Sequence, residues 1–434
     1  MTAHITPPRG MRDFLPAPKL RRERLLRRIV SAYQQRGFSL IETPVLEDLS
    51  RLTSGMGGDN EKQAFRVLRR GLTPARFTEA TAETDLCDLG LRYDLTVPLS
   101  RFYATHQAEL PTPFRAIQTG PVFRAERPQK GRYRQFVQCD IDIVGEPGLL
   151  AECELVTATA AALRTVGLEG FHIRVNDRRL LDAVLASCGV PAEDIPQALI
   201  SVDKLDKIGV EGVLSELSAS LPADAVSGLG EFLGRAVASA GVPLSREAVA
   251  GVLGPIPAPE ALDSLTELAE AVSAWEDAPE LRFDASLVRG MGYYTGTIFE
   301  IAHPDFPSSV GGGGRYDGMI GRFLGRDVPA CGFSIGFERL LDLLPETDEE
   351  LGGLVLLADR DVPLGRLVAA KARMAAAGRR VTVARAGKRT ARILDQFSAE
   401  GFDAVARLHA DSDPEALDET PLTRHRDESG TNHA

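Results

Sequence analysis

The chain has few of the residues that build disulfide-bonded or metal-bound domains. Five cysteines stand among 434 residues, none of them in a CxxC pair, and an odd count argues against a disulfide framework. The spacing of these cysteines predicts no zinc site. No Ser/His/Asp or Cys/His set emerges either, which disfavours covalent catalysis. These absences favour a protein of a reducing compartment whose own motifs bind no metal.

Long apolar runs are also missing. No stretch approaches the roughly 20 apolar residues of a membrane-spanning helix, and the N-terminal sequence MTAHITPPRGMRDFLP lacks the apolar core of a secretion signal. With 44% hydrophobic and 26% charged residues, the composition is that of a soluble globular protein. We therefore expect two or three domains, a cytoplasmic location and no membrane partner.

An excess of positive charge is absent as well, since the formal net charge is −11. Net charge averages over patches, however. Residues 362–392 contain nine Lys or Arg and no Asp or Glu, which predicts a basic surface that binds a polyanion. For this stretch alone, an ordinary solvated helix face is the alternative interpretation.

The most informative stretch runs from Gly120 to Gly145, with the sequence GPVFRAERPQKGRYRQFVQCDIDIVG. Two apolar segments flank a loop of Arg, Lys, Gln and Pro, a pattern that predicts a β-hairpin with a basic tip. Arg124 and Arg132 would then face one site, where their guanidiniums can bind phosphate oxygens bidentately. The alternative is a solvated hairpin tip without a ligand.

Three carboxylates lie inside apolar, strand-like sequence, at Asp94, Asp140 and Asp142. Buried carboxylates need partners or cationic ligands, because their desolvation is otherwise prohibitive. Gln138, Asp140 and Asp142 are two residues apart in turn, so on a strand their side chains share one face. We expect this face to bind a cationic or hydrogen-bond-rich small molecule; a structural network of buried polar groups is the alternative.

The composition changes in residues 176–279, where stretches rich in Ala, Leu, Ser and Asp predict an inserted helical module. Strand signals return over residues 281–302 and in two later segments, GGGGRYDG and GFSIGFERL. The first of these lacks the Lys-Ser/Thr of a Walker loop, and its glycines are typical of a backbone that approaches a ligand closely.

The C-terminal part alternates strand and helix over residues 350–411, which predicts a small α/β domain. The last residues, 412–434, are polar and acidic. That composition is typical of a disordered tail.

These motifs, in this order, resemble the histidyl-tRNA synthetase family of class II aminoacyl-tRNA synthetases. The resemblance begins at RGMRDFLP and runs to Leu341. Pro44 is similar to the motif 1 proline of the class II dimer interface, FRAE resembles the start of motif 2, and GFSIGFERL resembles motif 3. LVRGMGYY and GGGGRYDG are similar to the two histidine-specific signatures of the family.

The resemblance implies an α+β fold. A class II synthetase-type antiparallel sheet flanked by helices would form a catalytic domain over residues 1–345, carrying the helical insertion. Residues 350–411 would form a small C-terminal α/β domain, similar to anticodon-binding domains but shorter.

The resemblance also implies a role for each matching residue. Catalysis would depend on Arg124, Arg289 and Arg339. ATP would be bound by Arg124, Glu126, Arg132, Tyr133 and Arg339. Histidine would be bound by Asp94, Thr96, Gln138, Asp142, Arg289, Tyr293, Tyr294 and Tyr316. The tRNA would be contacted by Arg127 and Gln129 at the acceptor end, and by Lys388 and Arg389 in the basic stretch.

The implied reaction joins L-histidine to tRNA(His) through histidyl-adenylate, using ATP with Mg²⁺, in a cytoplasmic homodimer. One alternative is a catalytically silent paralogue that senses histidine, like the regulatory subunit of ATP phosphoribosyltransferase. Another is a specialised paralogue that activates histidine for a different acceptor. Retention of the phosphate-binding arginines favours the enzyme, and the short C-terminal domain is the one feature that favours a regulator.

Overall fold

The computed structural model describes residues 5–53, 62–129, 131–239, 241–255, 258–289, 292–345, 352–413 and 416–422. The chain divides into two compact units, one of Met1–Arg12 with Leu26–Leu344 and one of Asp13–Leu25 with Pro345–Ala434. The first unit therefore differs from the predicted catalytic domain over residues 1–345, because it leaves out residues 13–25. These residues join the second unit, in which Arg21 donates a hydrogen bond of 2.9 Å to the Pro345 carbonyl oxygen.

The strands of the first unit run in chain order as β1 (Ser39–Leu40), β2 (Leu46–Asp48), β3 (Arg66–Leu68), β4 (Cys87–Leu91), β5 (Phe114–Phe123), β6 (Gln135–Val144), β7 (His172–Asp177), β8 (Val242–Pro243), β9 (Leu281–Phe283), β10 (Thr297–His303), β11 (Phe306–Arg315) and β12 (Ala330–Gly336). Within the described ranges, nine of them form a large sheet in the order β1-β5-β6-β12-β11-β10-β7-β9-β8. The other three form a small sheet in the order β2-β4-β3.

The central strands of the large sheet are antiparallel, as the sequence predicts. The hairpin is confirmed: β5 and β6 pair in register from Phe114 opposite Val144 to Phe123 opposite Gln135. The outer pairs β1–β5 and β7–β9 are parallel. Strands of two and three residues carry too little periodicity to be recognised in the sequence.

The pleat of β6 separates a core face from a polar face. Cys139, Ile141 and Ile143 are fully buried on one side, and the intervening polar residues point to the other. On the neighbouring strands, small or uncharged residues stand opposite Gln138, Asp140 and Asp142: Gly120, Gln118 and Ala116 on β5, and Gly336, Ser334 and Gly332 on β12. The polar row of β6 therefore has open space in front of it.

The helices that surround these sheets are α1 (Pro16–Gln34), α2 (Leu49–Leu52), α3 (Pro74–Glu79), α4 (Glu83–Leu86), α5 (Thr96–His106), α6 (Leu150–Thr165), α7 (Arg178–Ser187), α8 (Ile195–Val202), α9 (Leu205–Leu217), α10 (Ala223–Ala238), α11 (Arg246–Leu253), α12 (Pro259–Ser273), α13 (Asp317–Leu324) and α14 (Phe337–Leu343). No helix of the described segments is long and apolar enough to span a bilayer.

The helical insertion lies between β7 and β9 and comprises α7 to α12. It begins two residues later than the sequence predicts, because Asn176 and Asp177 are still part of β7 and pair with Ile298 and Thr297 of β10. The Asp177 side chain then accepts a hydrogen bond from the Arg179 backbone N–H (2.8 Å), which caps the first helix of the insertion.

The strand predicted over residues 281–302 is interrupted. β9 ends at Phe283, and β10 begins at Thr297. Arg289, between them, has φ of 57°, in the left-handed region that a β-strand does not use. Arg289, Tyr293 and Tyr294 thus lie on a connection, where a strand was expected from their composition.

The second unit has the predicted alternation of strand and helix. It contains β13 (Leu354–Ala358), α15 (Leu364–Ala376), β14 (Val381–Arg385), α16 (Thr390–Ala399), β15 (Ala404–Leu408) and β16 (Glu419–Pro421). β13 is the central strand, parallel to β14 and β15, and is buried along its whole length. Parallel strands covered on both faces are expected to be continuously apolar.

The expectation of a disordered tail over residues 412–434 is wrong for β16. Glu419–Pro421 pairs antiparallel with Ala404–Ala406 of β15, and Arg379 lies 2.8 Å from Glu419 in an ion pair. Polar, acidic sequence gave no strand signal, because the pairing is supplied by a distant strand. Residues 423–434 lie outside the described residues.

Candidate functional site

A cavity of about 760 Å³ opens on the polar face of the large sheet. Its wall contains all thirteen residues that the sequence assigns to ATP and histidine: Asp94, Thr96, Arg124, Glu126, Arg132, Tyr133, Gln138, Asp142, Arg289, Tyr293, Tyr294, Tyr316 and Arg339. They come from β6, α5, α14 and the connections beside β4, β5, β9 and β11. Their convergence depends on the sheet order, which brings β5, β6, β12 and β11 side by side.

One side of the cavity is cationic. Arg124, Arg132, Arg289 and Arg339 all contribute to its wall. Burial lowers the pKa of Arg339, and repulsion from Arg132, Arg289 and Arg124 lowers it further. Like charges held this close are stabilised by an anion placed among them. This side therefore suits a ligand with several negative charges.

Arg289 is held by a carboxylate that the sequence did not single out. Its Nη1 lies 3.4 Å from Oε2 of Glu300, and the other oxygen of Glu300 accepts a hydrogen bond of 2.6 Å from Arg174. Arg174 also donates to Asp284 (2.6 Å). Glu300 thus shares its charge between two guanidiniums that both line the cavity, and it orients that of Arg289.

The glycine run of β11 explains how Arg289 reaches this position. A Cβ atom on Gly312 would lie 2.1 Å from Nη1 of Arg289 and 2.6 Å from the Phe299 carbonyl oxygen. No side chain fits there without displacing the guanidinium. At Gly312 the group that approaches the backbone closely is thus a side chain of the protein, and the close approach of a ligand to this run stays a prediction.

A second side of the cavity is built from carboxylates and tyrosines. The Tyr316 hydroxyl donates a hydrogen bond of 2.6 Å to Oδ1 of Asp142. A Cβ on Gly332 would stand 2.0 Å from the same oxygen, so this pair needs glycine on β12. Burial raises the pKa of Asp142 to about 7, the Tyr316 hydrogen bond opposes that rise, and the nearby charge of Asp94 adds to it.

Several acceptor oxygens on this side are buried without a hydrogen-bond partner among the described residues. They are Oδ2 of Asp142, Oδ1 of Asp140 and Oε1 of Gln138. Burial, together with repulsion from Asp142, raises the pKa of Asp140 well above its usual range. Buried acceptors normally have donors, so these oxygens suit a ligand that carries N–H groups.

The carboxylate side is bounded by aromatic rings and by a helix start. The rings of Tyr293 and Tyr294 are 4.8 Å apart, and those of Tyr293 and Tyr316 are 5.9 Å apart. Thr96 is the first residue of α5, and the Val97 backbone N–H donates to Oδ1 of Asp94 (3.2 Å). The recess is therefore lined by rigid groups.

The residues assigned to tRNA lie elsewhere. Arg127 and Gln129 are exposed at the tip of the β5–β6 loop, outside the cavity wall. Gln129 exchanges two backbone hydrogen bonds with Arg132 (2.9 and 3.2 Å), which closes the loop.

In the second unit, Lys388 and Arg389 are exposed just before α16. Not all of the basic stretch is free to bind a polyanion. Among the described contacts, Arg366, Arg379, Arg380 and Arg385 hydrogen-bond to other residues of the unit.

Sequence reasoning missed part of the cavity wall. Asp140 carried a signal, since it belongs to the β6 face that the sequence predicts to bind a small molecule, although the resemblance gives it no individual role. Glu300 and Arg174 gave none, because charged residues on strand-like sequence are common and their pairing depends on the tertiary fold.

Comparisons with known proteins show which family the chain resembles. The sequence model of the family described as Histidyl-tRNA synthetase matches residues 10–340. The chain is 57% identical over 431 residues to the histidine–tRNA ligase of Leifsonia xyli subsp. xyli, covering 98% of this chain and 100% of that one. It is 42% identical over 342 residues to the histidine–tRNA ligase of Aeropyrum pernix, covering 77% and 73% of the two chains.

Two solved structures share the fold. The histidyl-tRNA synthetase from Nostoc sp. PCC 7120 superposes with a TM-score of 0.72 at 24% identity, covering 96% of each chain. An ATP phosphoribosyltransferase regulatory subunit/histidyl-tRNA synthetase from Bacillus halodurans gives a TM-score of 0.73 at 22% identity, covering 94% of this chain and 99% of that one. The extent of the family match and the 57% identity decide the assignment: the chain belongs to the histidyl-tRNA synthetase family of aminoacyl-tRNA synthetases.

Proposed function

We propose that the chain is a histidine–tRNA ligase that activates L-histidine with ATP and transfers it to tRNA(His). The observation that supports this most directly is the shared cavity, with guanidiniums along one side and, along a second, buried acceptor oxygens that have no hydrogen-bond partner among the described residues. A nucleotide triphosphate fits the first side by charge. An amino acid with an ammonium group and an imidazole fits the second by its N–H donors.

Histidine is selected by hydrogen bonds in this proposal. Asp142 and Tyr294 contact the imidazole, and Tyr316 closes the pocket beside them. The α-amino group of histidine binds Asp94, Thr96 and Gln138. The remaining residue of the histidine site, Tyr293, packs against Tyr294 and Tyr316. An amino acid without ring N–H groups would leave buried acceptors unpaired, which is costly enough for strong discrimination.

The nucleotide binds along the cationic side. Arg124 contacts the α-phosphate, Glu126 the adenine amino group, and Arg132 and Arg339 the outer phosphates, with Tyr133 beside them. The histidine carboxylate attacks the α-phosphorus, and pyrophosphate leaves. Arg289 approaches both the carboxylate and the α-phosphate, where it stabilises the charge that develops on the phosphate oxygens. Alignment of the two substrates supplies much of the remaining rate enhancement.

Magnesium enters this scheme as part of the nucleotide. The described residues contain no group of three or more His, Cys, Asp or Glu side chains arranged to hold a metal. Mg²⁺ bound with ATP would supply further positive charge to the phosphates, beside that of Arg132 and Arg339.

The tRNA and the second subunit complete the proposal. Arg127 and Gln129 meet the acceptor end, and Lys388 and Arg389 meet phosphates elsewhere on the tRNA. Exposed apolar side chains flank Pro44, with Leu40 50% and Leu46 42% exposed, which supports an interface between two copies there. The proposed location of the reaction is the cytoplasm.

Histidine-dependent exchange between ATP and labelled pyrophosphate tests the activation step, and charging of tRNA(His) tests the transfer. Arg289→Ala should nearly abolish exchange. Arg282→Ala, which removes an exposed arginine paired with Glu280, is the matched control and should exchange normally. Exchange at the normal rate in Arg289→Ala would overturn the assignment of Arg289.

The same pair of assays separates the alternatives. A wild-type chain without exchange would be a histidine-sensing regulator. A chain that exchanges but charges no tRNA would activate histidine for another acceptor.

A further inference from the structure

The N-terminal segment RGMRDFLP has no part in the proposed reaction, yet its first residues lie on the β5–β6 loop. The Arg134 backbone N–H donates to the Gly10 carbonyl oxygen (2.8 Å). Gly10 has φ of 83°, and a Cβ there would lie 2.7 Å from Pro128 Cγ and 2.9 Å from Arg134 Cγ. Only glycine allows the backbone of this segment to pack so closely on the loop.

Arg12 extends the contact to two further elements. Its guanidinium carbon lies 3.4 Å from the centre of the Tyr133 ring, a cation–π stack. Its Nη2 is 2.7 Å from Oε2 of Glu338, which is 6% exposed. The other oxygen of Glu338 accepts a hydrogen bond from the Val137 backbone N–H (3.2 Å). Arg12 thus connects the end of the loop to the first turn of α14, one residue before Arg339.

The contacts continue from this end of the loop to its nucleotide-binding side chains. Arg134 donates to the Glu126 carbonyl oxygen (3.0 Å), and its own carbonyl accepts from the Arg124 backbone N–H (2.9 Å). Arg132 pairs with the Glu126 carboxylate at 3.4 Å. Displacement of Tyr133 and Arg134 would therefore move the groups that meet the adenine and the phosphates.

We propose that Arg12 is a positioning residue for the nucleotide: stacked on Tyr133 and paired with Glu338, it fixes the β5–β6 loop relative to Arg339. This rests on the proposed use of ATP. Arg12 acts through Tyr133 and Glu338, and the cost of ordering the loop is met in the folded protein before ATP binds.

Kinetics of the full chain test the proposal. In pyrophosphate exchange, Arg12→Ala should raise the KM for ATP by about tenfold, while the KM for histidine stays within about twofold. Arg12→Lys keeps the charge near Glu338 but loses the planar stack, and should raise the KM for ATP by about threefold. Arg9→Ala, which removes an exposed arginine of the same segment, is the control and should leave both constants unchanged.

Amide hydrogen exchange of the free protein gives a readout independent of activity. Arg12→Ala should speed exchange across residues 125–135, and Arg9→Ala should not. An unchanged KM for ATP in Arg12→Ala would overturn the proposal. An equal rise in the KM for ATP and the KM for histidine, together with a lower melting temperature, would also overturn it, because it would indicate a purely structural role. Absence of pyrophosphate exchange in the wild-type chain would refute the proposed function. Amide hydrogen exchange in Arg12→Ala and Arg9→Ala would still decide whether Arg12 orders the loop.

Discussion

The Tyr316 hydroxyl donates to Oδ1 of Asp142 at 2.6 Å, at a place where Gly332 leaves no room for a side chain. This hydrogen bond favours the ionised form of a carboxylate whose burial raises its pKa to about 7. Only the ionised form accepts hydrogen bonds at both oxygens. Oδ2 has no hydrogen-bond partner among the described residues, so it is the oxygen left to accept from the imidazole that the proposed function places at Asp142.

The KM for histidine should therefore fall as the pH rises through about 7, because Asp142 loses its proton there. Tyr316→Phe removes the hydrogen bond that lowers this pKa, so the same fall should occur at higher pH. Steady-state exchange measured from pH 6 to 9 gives both curves. The imidazole of free histidine also titrates near this range. The asparagine side chain cannot titrate, so the pH dependence that remains in Asp142→Asn is the contribution of the substrate. A pH profile identical in Asp142→Asn and wild type would contradict the assignment.

The titration of Asp142 should also change the stability of the protein. The rise in pH that improves histidine binding should lower the free energy of unfolding. A carboxyl with a raised pKa binds its proton more tightly in the folded than in the unfolded chain, so the free energy of unfolding falls as the pH rises from about 4 to about 7. Asp142→Asn removes this loss. Its melting temperature at pH 8 should exceed that of the wild type by a few degrees, and the difference should shrink towards pH 4. A constant difference across this range would argue against the raised pKa.

Glu300 should matter for catalysis through Arg289. Glu300→Gln keeps the shape of the side chain but removes the charge that orients two guanidiniums, and should lower the kcat of exchange by about tenfold, with a smaller change in either KM. Glu280→Gln is the matched control, because Glu280 forms an exposed pair with Arg282 away from the cavity. Equal effects of the two substitutions would show that Glu300 has no special connection to Arg289.

Gly312→Ala should disable the enzyme by displacement of Arg289, since the new Cβ would stand 2.1 Å from its Nη1. We expect a large loss of kcat and a destabilisation of about 1–3 kcal/mol from the clash with the Phe299 carbonyl. Gly318→Ala, in α13, meets no atom within 4 Å and should be neutral or slightly stabilising. Normal turnover in Gly312→Ala would mean that Arg289 has another route into the cavity.

The basic stretch should act on tRNA alone. Charge reversal of Lys388 and Arg389 together should raise the KM for tRNA and reduce its dependence on salt, by about one unit of slope for each phosphate that these side chains no longer neutralise. The exchange reaction, which needs no tRNA, serves as the internal control and should proceed at the wild-type rate. Similar reductions in exchange and charging would place the effect in folding or in the first step.

Much of the site was predictable because its signals are local. The alternation of Gln138, Asp140 and Asp142 with apolar residues reports the pleat of β6 directly, and the arginines of the β5–β6 loop follow from hairpin geometry. The resemblance gave Asp94, Arg289 and Tyr316 their roles in one site, because no spacing in the sequence connects them. Their meeting in one cavity depends on strand order, and strand order is a property of the whole sheet.

The features that were missed share a non-local cause. Arg289 lies on a connection with positive φ, although its neighbours have the composition of a strand. β16 exists because β15 offers a free edge, and acidic sequence gives no hint of it. The pairs Glu300–Arg174 and Arg12–Glu338 join residues 126 and 326 positions apart. Long-range ion pairs of this kind leave no periodic trace.

The two-sided strand β6 limits how the enzyme can change its substrate. Its odd-numbered residues from 139 to 143 belong to the core, and its even-numbered residues from 138 to 142 face the cavity. A slip of one position would bring isoleucine to the ligand and aspartate into the hydrocarbon interior. The register of β6 is therefore fixed, and a substitution on this strand that alters the amino-acid preference must fall at residue 138, 140 or 142.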